Sequence, residues 1–480
     1  MSEILINKTA DETRVAIITD KKLSHLFIER NPEEKLVGNI YKGRVASILP
    51  GLNSAFVDIG LGKNAYLHRD DVSDTNKKIE ELLKKGQEII VQVEKESIGS
   101  KGPKVTVFLS LVGRLLVYLP PNPYSAQKTG GQVGISKNIV SPEERHRLKK
   151  ILQPLIDKND SFIIRTEAEE ASEKELKREM VYLKKVYEAI KQKAEEISGP
   201  ALLHRSLGLS FQIVRDYFSD EIKIMLIDSL PEYRDVVNFA RVVSPELVER
   251  IKMYEGRTPL FTAFDIEEQI RLLRNSRVDL PSGGYLIIQE AESLCAIDVN
   301  TGKFVGTKSA EETITQTNLE AAREIGRQLR LRNIGGIIVI DFIDMEKARN
   351  KQKVLEALKE ATRPDKAKIK IYPITRLGLI EMTRQRQTES VNALLTDTCP
   401  ECQGSGRILS AESVFIEVKR EIMRLKLTYY SGRLILRLHP GPVLDYFRQN
   451  VKKLGLSSEI SLDIQPSSDI SRSQYQLIVK

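Results

Sequence analysis

The chain has 480 residues, of which 41% are hydrophobic and 29% are charged, a composition typical of a soluble globular protein. No apolar stretch approaches the ~20 residues that a membrane-spanning helix needs, and a length well beyond one ordinary core predicts about three domains. The net charge of +8 is compatible with a polyanionic partner, and three cysteines are too few for a secreted disulfide framework.

The N-terminal segment MSEILINKTADE is polar and acidic, which argues against a secretory signal and predicts a cytoplasmic protein. Residues 1–34 are expected to form two short strands, EILINK and TRVAIITD, followed by HLFIE. Residues 36–115 contain short alternating strands that are broken by Gly, Pro and Asn. This spacing is typical of a small β-barrel.

Barrels of this size often bind single-stranded nucleic acid through exposed aromatic and basic side chains. The candidates here are Phe56 and Tyr66, accompanied in the sequence by Tyr41, Lys42, Arg44 and Lys101. Bases stack on aromatic rings without regard to identity, at roughly 1–3 kcal/mol per base. On composition alone, the alternative that Phe56 and Tyr66 are core residues stays open.

The middle of the chain changes character several times. Residues 117–140 form a Pro- and Gly-rich link, and residues 141–200 are charge-rich and helical. A strand, SFIIRT, is expected before a long helix at about 172–197. Residues 200–275 mix strands and helices, and residues 280–397 alternate between strand and helix, which predicts an α/β unit.

Two apolar runs in the α/β unit end on carboxylates. The run from Leu294 ends at Asp298, and Asn300 follows on the same face of the predicted strand. The run GGIIVID ends at Asp341. Because ligands of open α/β sheets gather at the carboxyl ends of strands, we expect these three side chains to converge.

Two carboxylates and an amide carbonyl form an all-oxygen set, which suits Mg²⁺. Such an ion would activate a water nucleophile and neutralise charge on a phosphate. The five histidines, at 25, 68, 146, 204 and 439, lie outside this region, which argues against a histidine base. The alternative is that these carboxylates cap nearby helices, and Asp344 is expected either to cap a helix or to support the metal site.

The segment TDTCPECQGSGR places Cys399 and Cys402 three residues apart, followed by two glycines that allow a tight loop. This spacing suits zinc, but tetrahedral structural zinc needs four ligands. Cys295 lies in an apolar run and is expected to be packed. The simplest completion is the same pair from a second chain, which predicts a homodimer with a shared zinc. A redox pair, or completion by His439, remains an alternative.

Several long motifs resemble those of the ribonuclease E/G family: NIYKGRV, AFVDIG, PSGG, AIDVNTG, TNLEAAREIGRQLRLRNIGGIIVIDFIDM and CPECQGSG. The resemblance covers nearly the whole chain and implies a multidomain α/β and β protein. The implied domains are a ribonuclease-H-like fold (1–35 with 205–278), an inserted OB-fold RNA-binding barrel (36–118), a 5′-phosphate sensor region (119–204), a DNase-I-like catalytic domain (279–397), a zinc link (398–411) and a small α/β domain (412–480).

The resemblance also implies a Mg²⁺-dependent endoribonuclease that cuts single-stranded RNA, leaves a 5′-phosphate and a 3′-hydroxyl, and is stimulated by a 5′-monophosphate. It would act in RNA processing and decay as a zinc-linked homodimer, with a dimer of dimers as a further option. The implied roles are metal binding by Asp298 and Asp341, positioning of the phosphate or its water by Asn300, RNA contact by Phe56, Tyr66 and Lys101, and 5′-phosphate binding by Arg165 and Thr166.

The Gly-rich loop GGQVGIS near the implied sensor is longer than the family's compact form, and the chain resembles the short form that lacks a long scaffold region. Two alternatives to RNA cleavage remain: a non-cleaving RNA-binding assembly protein of the same fold, and a DNA-directed nuclease. The group of Asp298, Asn300 and Asp341 favours cleavage, because a binding protein has little need of it.

Overall fold

The computed structural model describes residues 2–30, 35–96, 102–124, 131–157, 159–302, 310–385, 389–427, 432–456 and 460–480. The chain forms two compact units, unit 1 (residues 1–391) and unit 2 (residues 392–480). Among the described residues, no helix has the length and apolar character that crossing a membrane requires.

The strands, numbered in chain order, are β1 Ser2–Lys8, β2 Glu12–Thr19, β3 Lys22–Arg30, β4 Ile40–Leu49, β5 Ser54–Asp58, β6 Ala65–His68, β7 Glu88–Lys95, β8 Lys104–Thr106, β9 Leu111–Val112, β10 Leu116–Leu119, β11 Gln132–Ile135, β12 Ser161–Ile164, β13 Ala201–His204, β14 Ile222–Ile227, β15 Ile251–Met253, β16 Arg277–Asp279, β17 Tyr285–Glu290, β18 Leu294–Asn300, β19 Gly336–Asp341, β20 Ile369–Ile371, β21 Ile380–Arg384, β22 Gly432–Leu438, β23 Ile460–Pro466 and β24 Tyr475–Val479.

The α-helices are α1 Ile79–Leu82, α2 Pro142–Leu152, α3 Glu173–Glu196, α4 Leu209–Asp216, α5 Leu230–Val243, α6 Leu260–Ala263, α7 Ile266–Leu272, α8 Ala310–Leu331, α9 Ala348–Thr362, α10 Val391–Leu395, α11 Ala411–Leu427 and α12 Pro442–Asn450.

The first sheet of unit 1 joins segments that are far apart in the sequence. Its strand order is β15–β14–β1–β2–β3, in which β1 pairs in parallel with β14 and antiparallel with β2. Buried branched residues such as Ile4 and Ile6 pack with Val236 and Ala240 of α5. The residues between β3 and α4 are therefore an insertion in this part of the fold.

The insertion begins with a closed five-strand β-barrel. Its order is β4–β5–β6–β8–β7, and the barrel closes because β4 pairs with both β5 and β7. Small and branched residues fill the interior, among them Val57, Ala65 and Leu67. Gly43 allows β4 to approach β5 closely, since a Cβ there would lie 2.5 Å from Val57 Cγ1.

A four-strand sheet, β11–β12–β10–β9, follows the barrel and packs with α2 and α3. Tyr118 of β10 stacks on Phe162 of β12 at 4.8 Å between ring centroids. The helix α3 begins with a complete capping box between Ser172 and Glu175, which satisfies backbone donors at its first turn. This sheet carries the segment of Arg165 and Thr166 at the end of β12.

The last sheet of unit 1, here called the 277–384 sheet, has the order β16–β17–β18–β19–β21–β20. Buried residues of β18 and β19 pack against α8 and α9 through a core that includes Ile297, Ile340, Leu329 and Leu358. The opposite face is open, and Ile337 on it is 52% exposed.

Unit 2 is a small α/β unit. Its three strands have the order β23–β22–β24, with β22 parallel to β23 and antiparallel to β24. The helices α11 and α12 pack on the sheet, and Val418, Leu436 and Phe447 lie in the shared core.

The sequence-based expectation of strand–helix alternation over 280–397 was wrong at β21, and the sequence analysis also missed β16 at 277–279, just before that range. The short strand β16 and the strand β21 were not predicted, and both are antiparallel to their neighbours. Only β18 and β19 pair in parallel in this sheet. β16 has three residues, too few to show a period, and polar Glu381 and Thr383 interrupt the apolar signal of β21.

Ile337 and Ile338 lie on opposite faces of β19, so replacing each by Ala should lower the free energy of unfolding by unequal amounts. Ile338→Ala should lower the free energy of unfolding by about 2–5 kcal/mol, because Ile338 is fully buried. Ile337→Ala, on the open face of the same strand, should cost less than about 1 kcal/mol. Urea unfolding followed by circular dichroism measures both, and equal losses would contradict the assignment of faces.

Candidate active site

Asp298 and Asp341 lie directly opposite each other on the neighbouring parallel strands β18 and β19. Adjacent strands are about 4.8 Å apart, so the two carboxylates are side-by-side on the open face of the 277–384 sheet. Both side chains are exposed, whereas Ile297 and Ile340, one residue earlier on each strand, are buried. The alternation of faces therefore directs both carboxylates to solvent.

Asn300 completes this group, because it lies on the same face of β18 two residues beyond Asp298. Its amide Nδ2 donates a hydrogen bond of 2.8 Å to Asp298 Oδ2. The structure thus brings together the three side chains that the sequence analysis selected. Their donor atoms include four carboxylate oxygens and an amide group at one edge of the sheet.

The donor set fits Mg²⁺ better than a metal that needs several protein ligands. Among the described residues, no group of three or more His, Cys, Asp or Glu side chains could hold a metal ion. Mg²⁺ is commonly bound through one or two carboxylates, with waters and substrate phosphate completing its octahedron. Two exposed carboxylates with open solvent beside them meet that requirement.

The segment after Asp341 is held by a buried amide that the sequence analysis missed. Asn318 of α8 is fully buried; its Nδ2 donates to the Ile343 carbonyl at 2.8 Å, and its Oδ1 accepts from the Ile343 amide at 3.1 Å. This pair of bonds fixes the chain two residues beyond the carboxylate. A polar residue within the apolar stripe of a helix, in TNLEAAR, was the available signal.

Glu311 of α8, rather than Asp344, caps the N-terminus of α9. Its carboxylate accepts hydrogen bonds from the amides of Glu346 and Lys347, both at 3.2 Å, and from Asn350 Nδ2 at 2.8 Å. Asp344 is exposed and lies beside Gly378. The suggestion that Asp344 caps this helix was therefore wrong.

The aromatic residues of the barrel form a cluster on its outer surface. Phe56 and Tyr66 are cross-strand partners on β5 and β6, with ring centroids 6.1 Å apart, and His68 lies 6.5 Å beyond Tyr66. All three are half-buried, while the residues that alternate with them fill the barrel. The alternative that Phe56 and Tyr66 belong to the core is wrong, but Tyr41 does lie in the core.

The basic residues near this cluster are engaged in other contacts. Lys42 Nζ donates to the carbonyls of Ala194 and Ile197 at the end of α3, and Arg44 donates to the Gly199 carbonyl. These contacts attach the barrel to α3. Lys104, the neighbour of Tyr66, forms ion pairs with two carboxylates, Asp71 at 2.9 Å and Glu94 at 2.7 Å. The predicted RNA contact Lys101 lies outside the described residues.

Arg165 directly follows β12, and its guanidinium faces three acceptors of the protein itself. Its guanidinium donates to the Gly113 carbonyl and to Asp216 Oδ1, and its Nε lies 3.5 Å from Glu167. Burial alone would raise the pKa of Asp216, but the guanidiniums of Arg215 and Arg165 hold it below its usual range. An anion that approaches Arg165 must therefore compete with two carboxylates.

The predicted partner Thr166 contacts the end of GGQVGIS, a segment predicted as a Gly-rich loop that instead forms the strand β11 over Gln132–Ile135. Its Oγ1 lies 3.0 Å from Ser136 Oγ, and Ser136 follows β11, which pairs in parallel with β12. In the described part of GGQVGIS, from residue 131 onward, this segment therefore reaches the segment of Arg165 and Thr166.

Behind this segment lies a buried carboxyl group that the sequence analysis missed. Glu179 of α3 accepts from the Leu115 amide at 2.8 Å, and its other oxygen has no hydrogen-bond partner. Burial raises the pKa of Glu179 to about 7. The absence of a Cβ at Gly113 leaves room for this carboxyl, since a Cβ there would overlap Glu179 Oε1. Glu179 therefore helps to shape the turn whose Gly113 carbonyl binds Arg165.

Comparison of this sequence with known proteins identifies a family. Residues 110–387, more than half of the chain, match the model of the ribonuclease E/G family. The chain belongs to the ribonuclease E/G family. Residues 34–105 match the S1 RNA binding domain, which corresponds to the closed five-strand barrel. The barrel of this ribonuclease E/G family member therefore precedes the region that the family model matches.

The relatives of this family member include both long and short proteins. It is 38% identical to ribonuclease G of Haemophilus influenzae over 98% of this chain and 97% of that protein, and 39% identical to ribonuclease G of Escherichia coli K12 over 92% and 91%. It is 38% identical to ribonuclease E of Haemophilus influenzae over 88% of this chain but 45% of that protein. The predicted family, enzyme class and resemblance to the short form are confirmed.

In unit 2 of the family member, Cys399 and Cys402 lie in a tight turn. Amides of Gly406 and Gly404 donate to Cys402 and hold the pKa of its thiol below the usual range, with a smaller contribution from Cys399. Within the described residues, neither His439 nor a carboxylate joins the pair to make a three-ligand group. Cys295 is buried, which raises the pKa of its thiol to about 12, and it packs beneath the open face.

Proposed function

We propose that this protein is a Mg²⁺-dependent endoribonuclease that cuts single-stranded RNA and leaves a 5′-phosphate and a 3′-hydroxyl. The observation that carries the proposal is the pairing of Asp298 with Asp341 across β18 and β19, beside Asn300. Membership of the ribonuclease E/G family supports RNA as the substrate. RNA processing and decay in the cytoplasm is the corresponding role.

Asp298 and Asp341 would hold the metal through their carboxylate oxygens. When bound, Mg²⁺ supplies positive charge that activates a water nucleophile and offsets the charge of the phosphate. Water forms a bond to phosphorus and the P–O3′ bond breaks; the departing 3′ oxygen takes a proton, and the phosphate stays on the 5′ side. Asn300 orients the Asp298 carboxylate through its hydrogen bond and lies where its amide can contact the scissile phosphate.

The barrel would hold the RNA through base stacking. The S1 match supports this role, and the outer cluster of Phe56, Tyr66 and His68 offers rings on which bases stack without sequence preference. Lys101 is proposed to add a phosphate contact. Lys104, the cross-strand partner of Tyr66, lies beside the same cluster.

A 5′-monophosphate would be recognised by Arg165 and Thr166. A guanidinium and a hydroxyl are suitable donors for a dianionic phosphate. Because Arg165 is already bonded to Asp216, the phosphate must displace that carboxylate or share the guanidinium with it. A terminal triphosphate adds charge and bulk at the same place, which favours the monophosphate.

The domain assignments follow the family resemblance. We propose that residues 1–35 with 205–278 form a ribonuclease-H-like domain, and the pairing of β1 with β14 supports joining these segments. The barrel at 36–118, the sensor region at 119–204 and a DNase-I-like catalytic domain at 279–397 complete the proposed order. Residues 398–411 would form the zinc link, and residues 412–480 the small terminal domain.

The zinc link is proposed to join two copies of this chain. Cys399 and Cys402 offer two thiols in a turn that Gly404 and Gly406 form with positive φ angles of 89° and 69°. A tetrahedral structural zinc needs four ligands. The same pair from a second chain completes the set and makes the protein a homodimer.

The first test concerns the carboxylate pair. Asp298→Asn should abolish internal cutting of a single-stranded RNA while keeping RNA affinity, because the change removes one metal-binding charge from an exposed site. Chelation should abolish cutting by the unaltered protein, and Mg²⁺ should restore it.

Glu292→Gln is the matched control, since Glu292 is an exposed carboxylate just before β18, at the other end of the strand from Asp298. It should cut normally. Metal-independent cutting would overturn the two-carboxylate mechanism. RNA binding without cutting under any metal would favour the non-cleaving assembly protein instead.

The second test concerns the 5′ end. The ratio of cutting rates for RNA with a 5′-monophosphate and with a 5′-triphosphate should fall towards one in Arg165→Gln and in Thr166→Val. Arg147→Gln is the control, because Arg147 also pairs with a carboxylate, Glu144, and donates to a carbonyl in the same region. An unchanged ratio in both sensor variants would refute the assignment.

The third test concerns zinc. Cys399→Ser should shift the solution mass, measured by light scattering, from dimer to monomer, and should remove bound zinc of about one ion per two chains. Cys295→Ala should leave both unchanged, since Cys295 is buried in unit 1. A dimer that persists without zinc would place the interface elsewhere.

A further inference from the structure

The open face of the 277–384 sheet carries two tyrosines, each with a cation stacked on its ring. Arg277 Cζ lies 3.9 Å from the ring centroid of Tyr285, and Lys370 Nζ lies 4.7 Å from that of Tyr372. Arg277 and Lys370 belong to β16 and β20, the two edge strands, while the carboxylates lie on the middle strands. By register, Arg277 is in the row of Asp298, whereas Lys370 is in the row of Ile337, four residues before Asp341 on the same face.

The first of these pairs adjoins the active site. Tyr285 is the cross-strand partner of Asn300, and Ile287 is the partner of Asp298. Arg277 is in turn the partner of Ile287, so its Cα lies two strand spacings, about 10 Å, from that of Asp298. The guanidinium leans over Tyr285 and so lies beside the row that contains Asn300.

The planar guanidinium of Arg277 is held in place by two contacts. Its Nε donates to Asp279 Oδ1 at 2.9 Å, and one side of the guanidinium rests on the Tyr285 ring. The side chain is nevertheless 55% exposed. A planar cation with one side covered and the other open is a surface on which an RNA base stacks, because bases stack on arginine planes as well as on aromatic rings.

The charge pattern indicates a single-stranded polyanion as the occupant. Arg277 and Lys370 attract phosphates, and the two carboxylates admit a phosphate only together with a metal. Between Arg277 and Lys370 the face exposes apolar side chains such as Ile337 and Ala296, which suit unpaired bases. A strand of RNA would pass from Arg277 over the carboxylates and then run obliquely back along β19 towards Lys370.

We propose that Tyr285 and Arg277 form a base-stacking subsite that holds the nucleotide next to the scissile phosphate, and that Tyr372 with Lys370 holds the strand further along the same face. This subsite lies in the catalytic sheet and is separate from the barrel cluster of Phe56 and Tyr66. The inference rests on the proposed endoribonuclease function, since it assigns the surroundings of the same site.

The experiment combines binding with cross-linking. In the Asp298→Asn protein, affinity for a single-stranded RNA is measured by fluorescence anisotropy, with Tyr285→Leu or Arg277→Gln added. Each addition should weaken binding by about tenfold, the loss of one stacked base. Tyr285→Phe keeps the ring and should recover the affinity lost in Tyr285→Leu.

Arg271→Gln is the matched control, because Arg271 is similarly exposed and pairs with a carboxylate, Glu268, on α7. It should bind RNA as the parent does. RNA carrying 4-thiouridine should cross-link to the peptide of β16 and β17 in the parent, and less in Arg277→Gln. Arg277→Gln changes an exposed side chain and tests the subsite even if Tyr285→Leu misfolds.

The outcomes separate the two proposals. If the unaltered protein cuts RNA with Mg²⁺ but Tyr285→Leu and Arg277→Gln bind like the parent, the subsite is overturned and the proposed function stands. If no cutting occurs but binding depends on Tyr285 and Arg277, the subsite stands and the function fails. Cross-links confined to the barrel overturn the subsite.

Discussion

The register between β18 and β19 is the constraint on which the active site depends. With Asp298 opposite Asp341, both carboxylates reach the open face, and Ile297 and Ile340 enter the core below α8 and α9. A slip of one residue would turn one carboxylate into that core. The apolar residues therefore do more than stabilise the sheet: their burial fixes the separation of the two carboxylates.

The helical layer holds the edge of this sheet at two points. Asn318 bonds both polar groups of Ile343, and Glu311 binds the first amides of α9. Both residues belong to α8. This one helix therefore fixes the segment that follows Asp341 and also the start of α9. Ile337 and Ala296 on the face that carries the carboxylates are exposed, so this face can admit a long flexible polymer.

The segment of Arg165 and Thr166 and the 277–384 sheet are joined by shared charges. Lys366, in the loop after α9, donates to Glu167 at 2.6 Å and to the Asp216 carbonyl, and Asp216 also binds Arg165. The adjacent Asp365 forms a buried ion pair with Arg384 of β21. An anion at Arg165 would compete for its guanidinium with Asp216 and Glu167, and Glu167 also pairs with Lys366.

The sequence by itself determined the family, the two apolar runs that end on Asp298 and Asp341, and the pair of Cys399 and Cys402. These are local signals, because a carboxylate that ends a buried run is visible within one segment. Only the tertiary structure decided that Phe56 and Tyr66 face outward, that Arg165 binds Asp216, 51 residues away, and that Arg277 stacks on Tyr285. Periodicity within a segment shows which residues share a face, but not which strand or helix lies alongside it.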